Sequence, residues 1–240
     1  MPFFRIGDRL HYFAHVPKCA GSSVEAYLRA RFGSLAFLDS SHFSRPARMR
    51  WSQTSPQHVA VEDLYRLIPP EWIASSFAVV RHPVSRLISA FRFQAEVEAT
   101  VPETWSVNDF FDDWLNRSAS EPFAYDNHLR PQSDLVPRDA VVFRLEDGLD
   151  AVVAHLDALA GNADGERHIP PENIRKSKMS SDSPRLRLRP ETLARIGAFY
   201  SEDFRRFGYS LEEHPRWPRP APGQSGFVAR IARRLRMARS

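Results

Sequence analysis

Three apolar runs in this chain are each followed within a few residues by a turn and an amphipathic stretch, and this repeated plan limits the fold more than any other feature. "HYFAHVP" (residues 11–17) leads into "GSSVEAYLRARFG" (21–33), where serines stand at a capping position, Val24, Leu28 and Phe32 fall near helical spacing, and Gly33 supplies a stop. "SSFAVVRHP" (75–83) leads into "VSRLISAFRFQAEVE", with Pro83 where the first turn of a helix accepts it. "AVVFRLED" (140–147) leads into "GLDAVVAHLDALAG", which ends at Gly161. Successive strand–helix units predict a parallel sheet with helices on its faces, and in such sheets ligands gather at the carboxyl ends of the strands.

Two further segments read as helices. "SVNDFFDDWLNRS" opens with Ser106 and Asp109 in capping-box spacing, and "RPETLARIGAFYSEDFRRFGY" places Leu193, Ile196, Phe199 and Tyr200 on one stripe of a single late helix. Residues 40–57 show little periodicity and read as loop. No repeats are evident.

Charge must be read by position. The chain of 240 residues carries a formal +4, but residues 216–240 hold seven of its 33 basic residues and no acid, so the preceding body is acidic, at about −3. That balance argues against a nucleic-acid-binding core, which needs a basic face. The expected organisation is one domain over 1–215, then a proline-rich linker and basic tail over 216–240. Within 225–240, Phe227, Ile231 and Leu235 recur at four-residue spacing opposite arginines, a pattern suited to peripheral contact with an anionic membrane and equally to a solvated basic tail. There is no signal-peptide pattern and no run of about 20 apolar residues. With Cys19 as its single cysteine, the chain is expected in a reducing cytoplasm, with a peripheral place at the inner membrane surface where the tail pattern makes that contact.

The chemistry concentrates in two places. In "HVPKCAGSS" (15–23) a lysine, a glycine and two serines lie between a strand and a helix, so backbone N–H groups, Lys18 and the hydroxyls of Ser22 and Ser23 converge on an anion. Nucleotide triphosphatase loops run in the opposite order, glycines before lysine, with serine or threonine next for magnesium. Here Cys19 follows the lysine, which disfavours a nucleotide kinase. In "RHPVSRLISAF", Arg81 ends a strand while Arg86 and Ser89, three apart, share a helix face, a pattern suited to a second phosphate. Arg92 reads as solvated.

Together, "PKCAGSS" and "RHPVSRLISAF" resemble the donor site of sulfotransferases that use 3′-phosphoadenosine 5′-phosphosulfate, with wording closest to the carbohydrate branch that modifies glycan hydroxyls. The resemblance runs from about residue 12 to 209 and implies a three-layer α/β fold like that of P-loop nucleotide triphosphatases, with a central, mostly parallel sheet flanked by helices. It implies that Pro17, Lys18, Cys19, Ala20, Gly21, Ser22 and Ser23 hold the phosphosulfate, and that Arg81, Arg86 and Ser89 hold the 3′-phosphate. Lys176 and Ser177 are nominated by position for the same phosphate, and no metal is implied. His82 departs from the family's more usual acidic or amide residue.

By the same resemblance Lys18 serves the leaving group, and the acceptor's base is His58, with His128 in "DNHLRPQSDL" second and Glu62 third. Arg130 and Gln132 are candidates for glycan contact, and Cys19 reads as packing. The implied acceptor is a glycan, a glycolipid or another sugar-containing molecule. A non-catalytic glycan- or nucleotide-binding module on the same fold is the alternative, and a P-loop kinase a more distant one.

Overall fold

The computed structural model describes residues 1–172 and 177–214 of the chain. Its sheet has four strands, β1 (Phe3–Ile6), β2 (Arg9–Ala14), β3 (Ile73–Val80) and β4 (Val141–Arg144), in the order β1-β2-β3-β4. The β2–β3 and β3–β4 pairs are parallel, as the strand–helix plan predicts. β1 is an addition: it folds back antiparallel on β2 through a tight turn in which Gly7 takes φ 62°, a conformation glycine adopts at little cost.

Each parallel crossover carries helices. α1 (Gly21–Phe32) and α2 (Val61–Leu67) lie between β2 and β3; α3 (Pro83–Glu96), α4 (Val107–Arg117) and the short α5 (Gln132–Leu135) lie between β3 and β4. α6 (Asp150–Ala160), α7 (Pro190–Phe199) and α8 (Ser201–Phe207) follow. Because β2, β3 and β4 run the same way, the segments leaving Ala14, Val80 and Arg144 emerge at one edge of the sheet, which brings the two anion-facing motifs together.

Two apolar clusters hold this frame. One joins the sheet to α1 and α6 through residues such as Phe13, Phe77, Leu28 and Leu156. The other lies among α3, α4 and α7. In α4, Val107, Phe110, Phe111 and Trp114 are buried at positions i, i+3, i+4 and i+7, so one stripe supplies its packing. Ser106 caps it, accepting from the Asp109 amide while the Asp109 carboxylate accepts from Ser106 N at 2.8 Å.

Two expectations are corrected. The serines of the first motif do not cap α1: Ala20 takes the N-cap place in a left-handed conformation, and Ser22 and Ser23 fall inside the first turn. The late helix is two helices, broken at Tyr200, whose backbone leaves the helical region (φ −94°, ψ 24°) and whose buried hydroxyl donates to the Leu129 carbonyl at 2.6 Å. Among the described residues no helix is long and apolar enough to cross a membrane. The 216–240 linker and tail lie outside the described residues.

Candidate active site

The loop between β2 and α1 is a tight anion cradle. Lys18 and Ala20 both have positive φ, 68° and 62°, a conformation that costs a side-chain-bearing residue about 1 kcal/mol or more. Their turns leave the first N–H groups of α1 without a side-chain cap. Gly21 is required by packing: a Cβ there would lie 1.9 Å from His15 Nε2, because the His15 ring occupies the place of a side chain. That ring is held from its other side by a hydrogen bond between Nδ1 and the Glu25 carboxylate of α1. Burial depresses the His15 pKa, and Glu25 only partly opposes it.

Arginines fix the cradle's carbonyls. Arg86 is 2% exposed and donates to Pro17 O at 3.0 Å, to Arg130 O at 2.8 Å and to Asn127 O at 3.4 Å. It thus ties the loop to residues 127–130, and its contacts are to backbone, unlike the phosphate contact expected of it. Arg81 reaches Lys18 O at 3.3 Å, and its own backbone is clamped by Gln132, which accepts from Arg81 N at 2.9 Å and donates to Arg81 O at 2.8 Å. Buried Cys19 points its sulfur at Gln132 Oε1, 3.5 Å away, and burial pushes its thiol up to about 12. This agrees with a packing role.

In front of the loop lies a cavity of about 730 Å³, within the range of small-molecule sites. Lys18, Gly21, Ser22, Ser23, Arg81 and Ser89 line it, as does Ser177, and so does Arg92, which reads from sequence as a solvated residue. Lys18 Nζ sits 3.8 Å from the centre of the Phe93 ring. Ser23 Oγ accepts from the Glu172 amide at 2.8 Å, and Ser177 donates to Glu96 at 2.8 Å. Lys176 lies outside the described residues. Lysine, arginines, hydroxyls and open helix amides fit a ligand bearing separated phosphate-like groups.

A second cavity of about 620 Å³ adjoins the first, and Gln57, His58, Phe93, Glu98 and His128 line both. His58 stands at that junction. Its Nδ1 is 2.7 Å from Asp126 Oδ2 and 2.9 Å from Ser55 Oγ, while Ser55 donates to the same carboxylate from Oγ at 2.6 Å and from its amide at 2.7 Å. Burial works against the Asp126 charge, but His58, His128 and Ser55 outweigh it and hold the carboxyl well below its usual range. With Asp126 ionised, the hydrogen-bond network assigns the His58 proton to Nδ1 and leaves the Nε2 lone pair available.

Tyr125, Asp126 and Asn127 all have positive φ (57°, 52° and 59°), so three consecutive non-glycine residues hold a strained turn to deliver this carboxylate. Asn127 secures it by donating to His58 O at 2.8 Å. His128 packs against His58, ring centres 5.3 Å apart. Burial, with His58, Lys18 and Arg86 nearby, drives its pKa far down, so it is neutral. Donor atoms of His58, Asp126 and His128 lie within 4.8 Å of one another, close enough to be drawn onto one ion, although His58 and Asp126 already satisfy each other.

Glu62 is exposed on α2, paired with Arg66, and lines neither cavity. Arg130 pairs with Asp134 at 3.2 Å, and Gln132 is spent on Arg81, so neither faces the cavities. His82 caps α3 by accepting from Val84 N at 3.2 Å, a local role in the turn. The structure adds His15, Ser55 and Asp126. Of these only Asp126 had a visible cue, its place two residues before His128.

Residues 3–210 match the model described as the sulfotransferase family. No curated protein matches the chain. The crystallised sulfotransferase from Alicyclobacillus acidocaldarius is similar at 20% identity over 63% of this chain, with a TM-score of 0.35; the match spans 57% of that chain, little more than half its length. The family match covers most of the chain, with both anion-facing segments, His58 and Asp126 inside it, and the chain belongs to the sulfotransferase family.

Proposed function

We propose that the protein moves the sulfuryl group of 3′-phosphoadenosine 5′-phosphosulfate to a hydroxyl of a carbohydrate-containing acceptor by in-line displacement, with His58 as general base. The observation that carries this reading is the place of His58, at the junction of two cavities and oriented by Asp126. The cavity at the β2–α1 loop takes the donor, and the other takes the acceptor. The donor supplies an activated sulfuryl group whose departure leaves the bisphosphate.

The protein's own groups do the rest. The first-turn amides of α1 with Ser22 hold one anionic end, and Arg81, Ser89 and Arg92 the other; Arg86 keeps the loop in shape from behind. Lys18 faces the oxygen on which negative charge collects as the sulfur–oxygen bond breaks. His58 accepts the acceptor's proton at Nε2 as that oxygen attacks sulfur, and Asp126 stabilises the imidazolium that forms. His128, kept neutral, borders both sites without adding a competing charge. Positioning and charge stabilisation of this kind supply most of the catalysis in the related phosphoryl transfers.

The test is calorimetric titration with 3′-phosphoadenosine 5′-phosphate in the absence of magnesium, beside ATP with magnesium. Tight binding of the bisphosphate, weakened at least tenfold by Lys18→Ala and by Arg81→Ala, supports the donor site. Preference for ATP with magnesium, or indifference to both substitutions, overturns it.

A further inference from the structure

The acceptor cavity has an unusual combination of walls. Phe43, Phe93, Phe123 and Tyr125 line it, and flat aromatic faces of this kind suit the C–H faces of a sugar ring. Its charges do not invite an anion. Asp39, Glu98 and Asp126 are acidic, and the only lysine or arginine on the wall among the described residues, Arg117, is already held by Asp113 and Glu121. A carboxylate or sulfate on the acceptor would find no uncommitted cation there.

Two polar groups on this wall lack partners. His42 is 1% exposed and neither ring nitrogen has a hydrogen bond; Gln57 Oε1 is likewise buried and unbonded. Buried polar groups are nearly always paired, so orphans on a cavity wall point to a ligand that supplies the partner, and hydroxyls can both donate and accept.

An exposed apolar segment, residues 37–51, meets the same cavity at Phe43. Phe43 lines the cavity and is itself 51% exposed, and Phe37, Met49 and Trp51 from the same segment are 39%, 63% and 53% exposed. Phe37 and Trp51 pack together with ring centres 6.2 Å apart. Half of the large exposed apolar residues of the described chain fall within these fifteen positions. A clustered apolar surface beside a site marks a place where something apolar binds. Arg45 is paired with Asp39 of the wall, and Arg50 lies over the Phe43 ring while donating to the Phe43 and Arg45 carbonyls, so these two cations are committed as well.

Resting on the sulfotransferase reading, we propose that the acceptor is an uncharged sugar head carried on an apolar tail: the sugar enters the cavity against His42 and Gln57, and the tail leaves over Phe43, Met49 and Trp51. The full chain is assayed with the phosphosulfate donor and octyl or methyl glucosides, galactosides and mannosides, below micellar concentration, beside octyl glucuronide, with sulfated product read by mass spectrometry. Bisphosphate binding is measured in parallel.

The expected result is sulfation of at least one neutral octyl glycoside, with kcat/KM at least tenfold above both its methyl counterpart and octyl glucuronide. Met49→Ser and Trp51→Ser should narrow the octyl-to-methyl ratio at unchanged bisphosphate affinity. Gln57→Ala should raise KM for octyl and methyl forms alike, and it spares the buried His42, whose replacement could unfold the segment. Equal use of octyl and methyl forms, preference for the glucuronide, or no sulfation of any neutral glycoside while the bisphosphate binds normally overturns the proposal and leaves the donor site standing. Failure to bind the bisphosphate at all removes the sulfotransferase reading and this proposal with it.

Discussion

Asp126→Asn isolates the charge that orients His58. Asparagine tolerates the left-handed backbone that Asp126 adopts at φ 52°, so the strained turn survives the change. Ser55 can still bond to the amide's oxygen. What changes is the partner of His58 Nδ1: a carboxylate that accepts the Nδ1–H hydrogen bond at 2.7 Å becomes a side chain that can present N–H instead, which favours the tautomer with its proton on Nε2. General-base catalysis is worth roughly 10²–10⁴ in rate, so transfer should fall by about that factor, or about 2.7–5.4 kcal/mol of barrier. The assay is transfer of a radiolabelled sulfuryl group at saturating acceptor, alongside calorimetry with the bisphosphate, whose affinity should stay within about twofold. Isotope-labelled imidazole NMR should report a His58 tautomer change. Unchanged transfer, or a loss matched by weakened bisphosphate binding, would refute the reasoning.

Other substitutions separate scaffold from site. Arg86→Ala removes three carbonyl contacts from a buried guanidinium and should lower stability by about 3 kcal/mol or more in denaturant titration, whereas Arg81→Ala should keep the midpoint and lose donor affinity. Gly21→Ala puts a methyl into the His15 ring and should cost about 1–3 kcal/mol and most bisphosphate affinity, both partly recovered in the double variant with His15→Ala. The depressed pKa of His128 means that the folded protein resists a proton the unfolded chain takes up below about pH 6.5. Stability from this group is therefore complete above that pH and declines below it, by up to about 1.4 kcal/mol per pH unit. His128→Gln should flatten that slope. Cys19, with its thiol pushed up to about 12, should react with a thiol reagent at pH 8 only as fast as the protein unfolds.

The parts that were legible in the sequence were those written in consecutive residues. Apolar runs and their trailing helices placed β2, β3, β4 and α6, and the Ser106 capping box placed the start of α4. β1 escaped because "FFRI" is four residues long at a sheet edge and shows no clean alternation of apolar and polar residues. The break at Tyr200 escaped because its apolar stripe runs on through it, and the Tyr200 hydroxyl's partner, the Leu129 carbonyl, lies 71 residues away where no local periodicity reveals it. At the site the same divide holds. Lys18, Arg81 and Ser89 line the cavity in front of the β2–α1 loop because strand ends and helix starts put them there. Helical spacing put Arg86 on a face with Ser89 but could not say that three distant carbonyls would turn its guanidinium inward. Asp126 stayed hidden because its partner lies 68 residues earlier in the chain, and three successive left-handed residues bring the two together.

The most direct test of the account is a paired measurement on His58→Asn: bisphosphate affinity by calorimetry and single-turnover transfer from the phosphosulfate donor. The account predicts affinity within about twofold of the parent and transfer lowered at least about 100-fold. Transfer at the parent rate with intact donor binding would contradict it, because the residue at the junction of the two cavities would then not be the base.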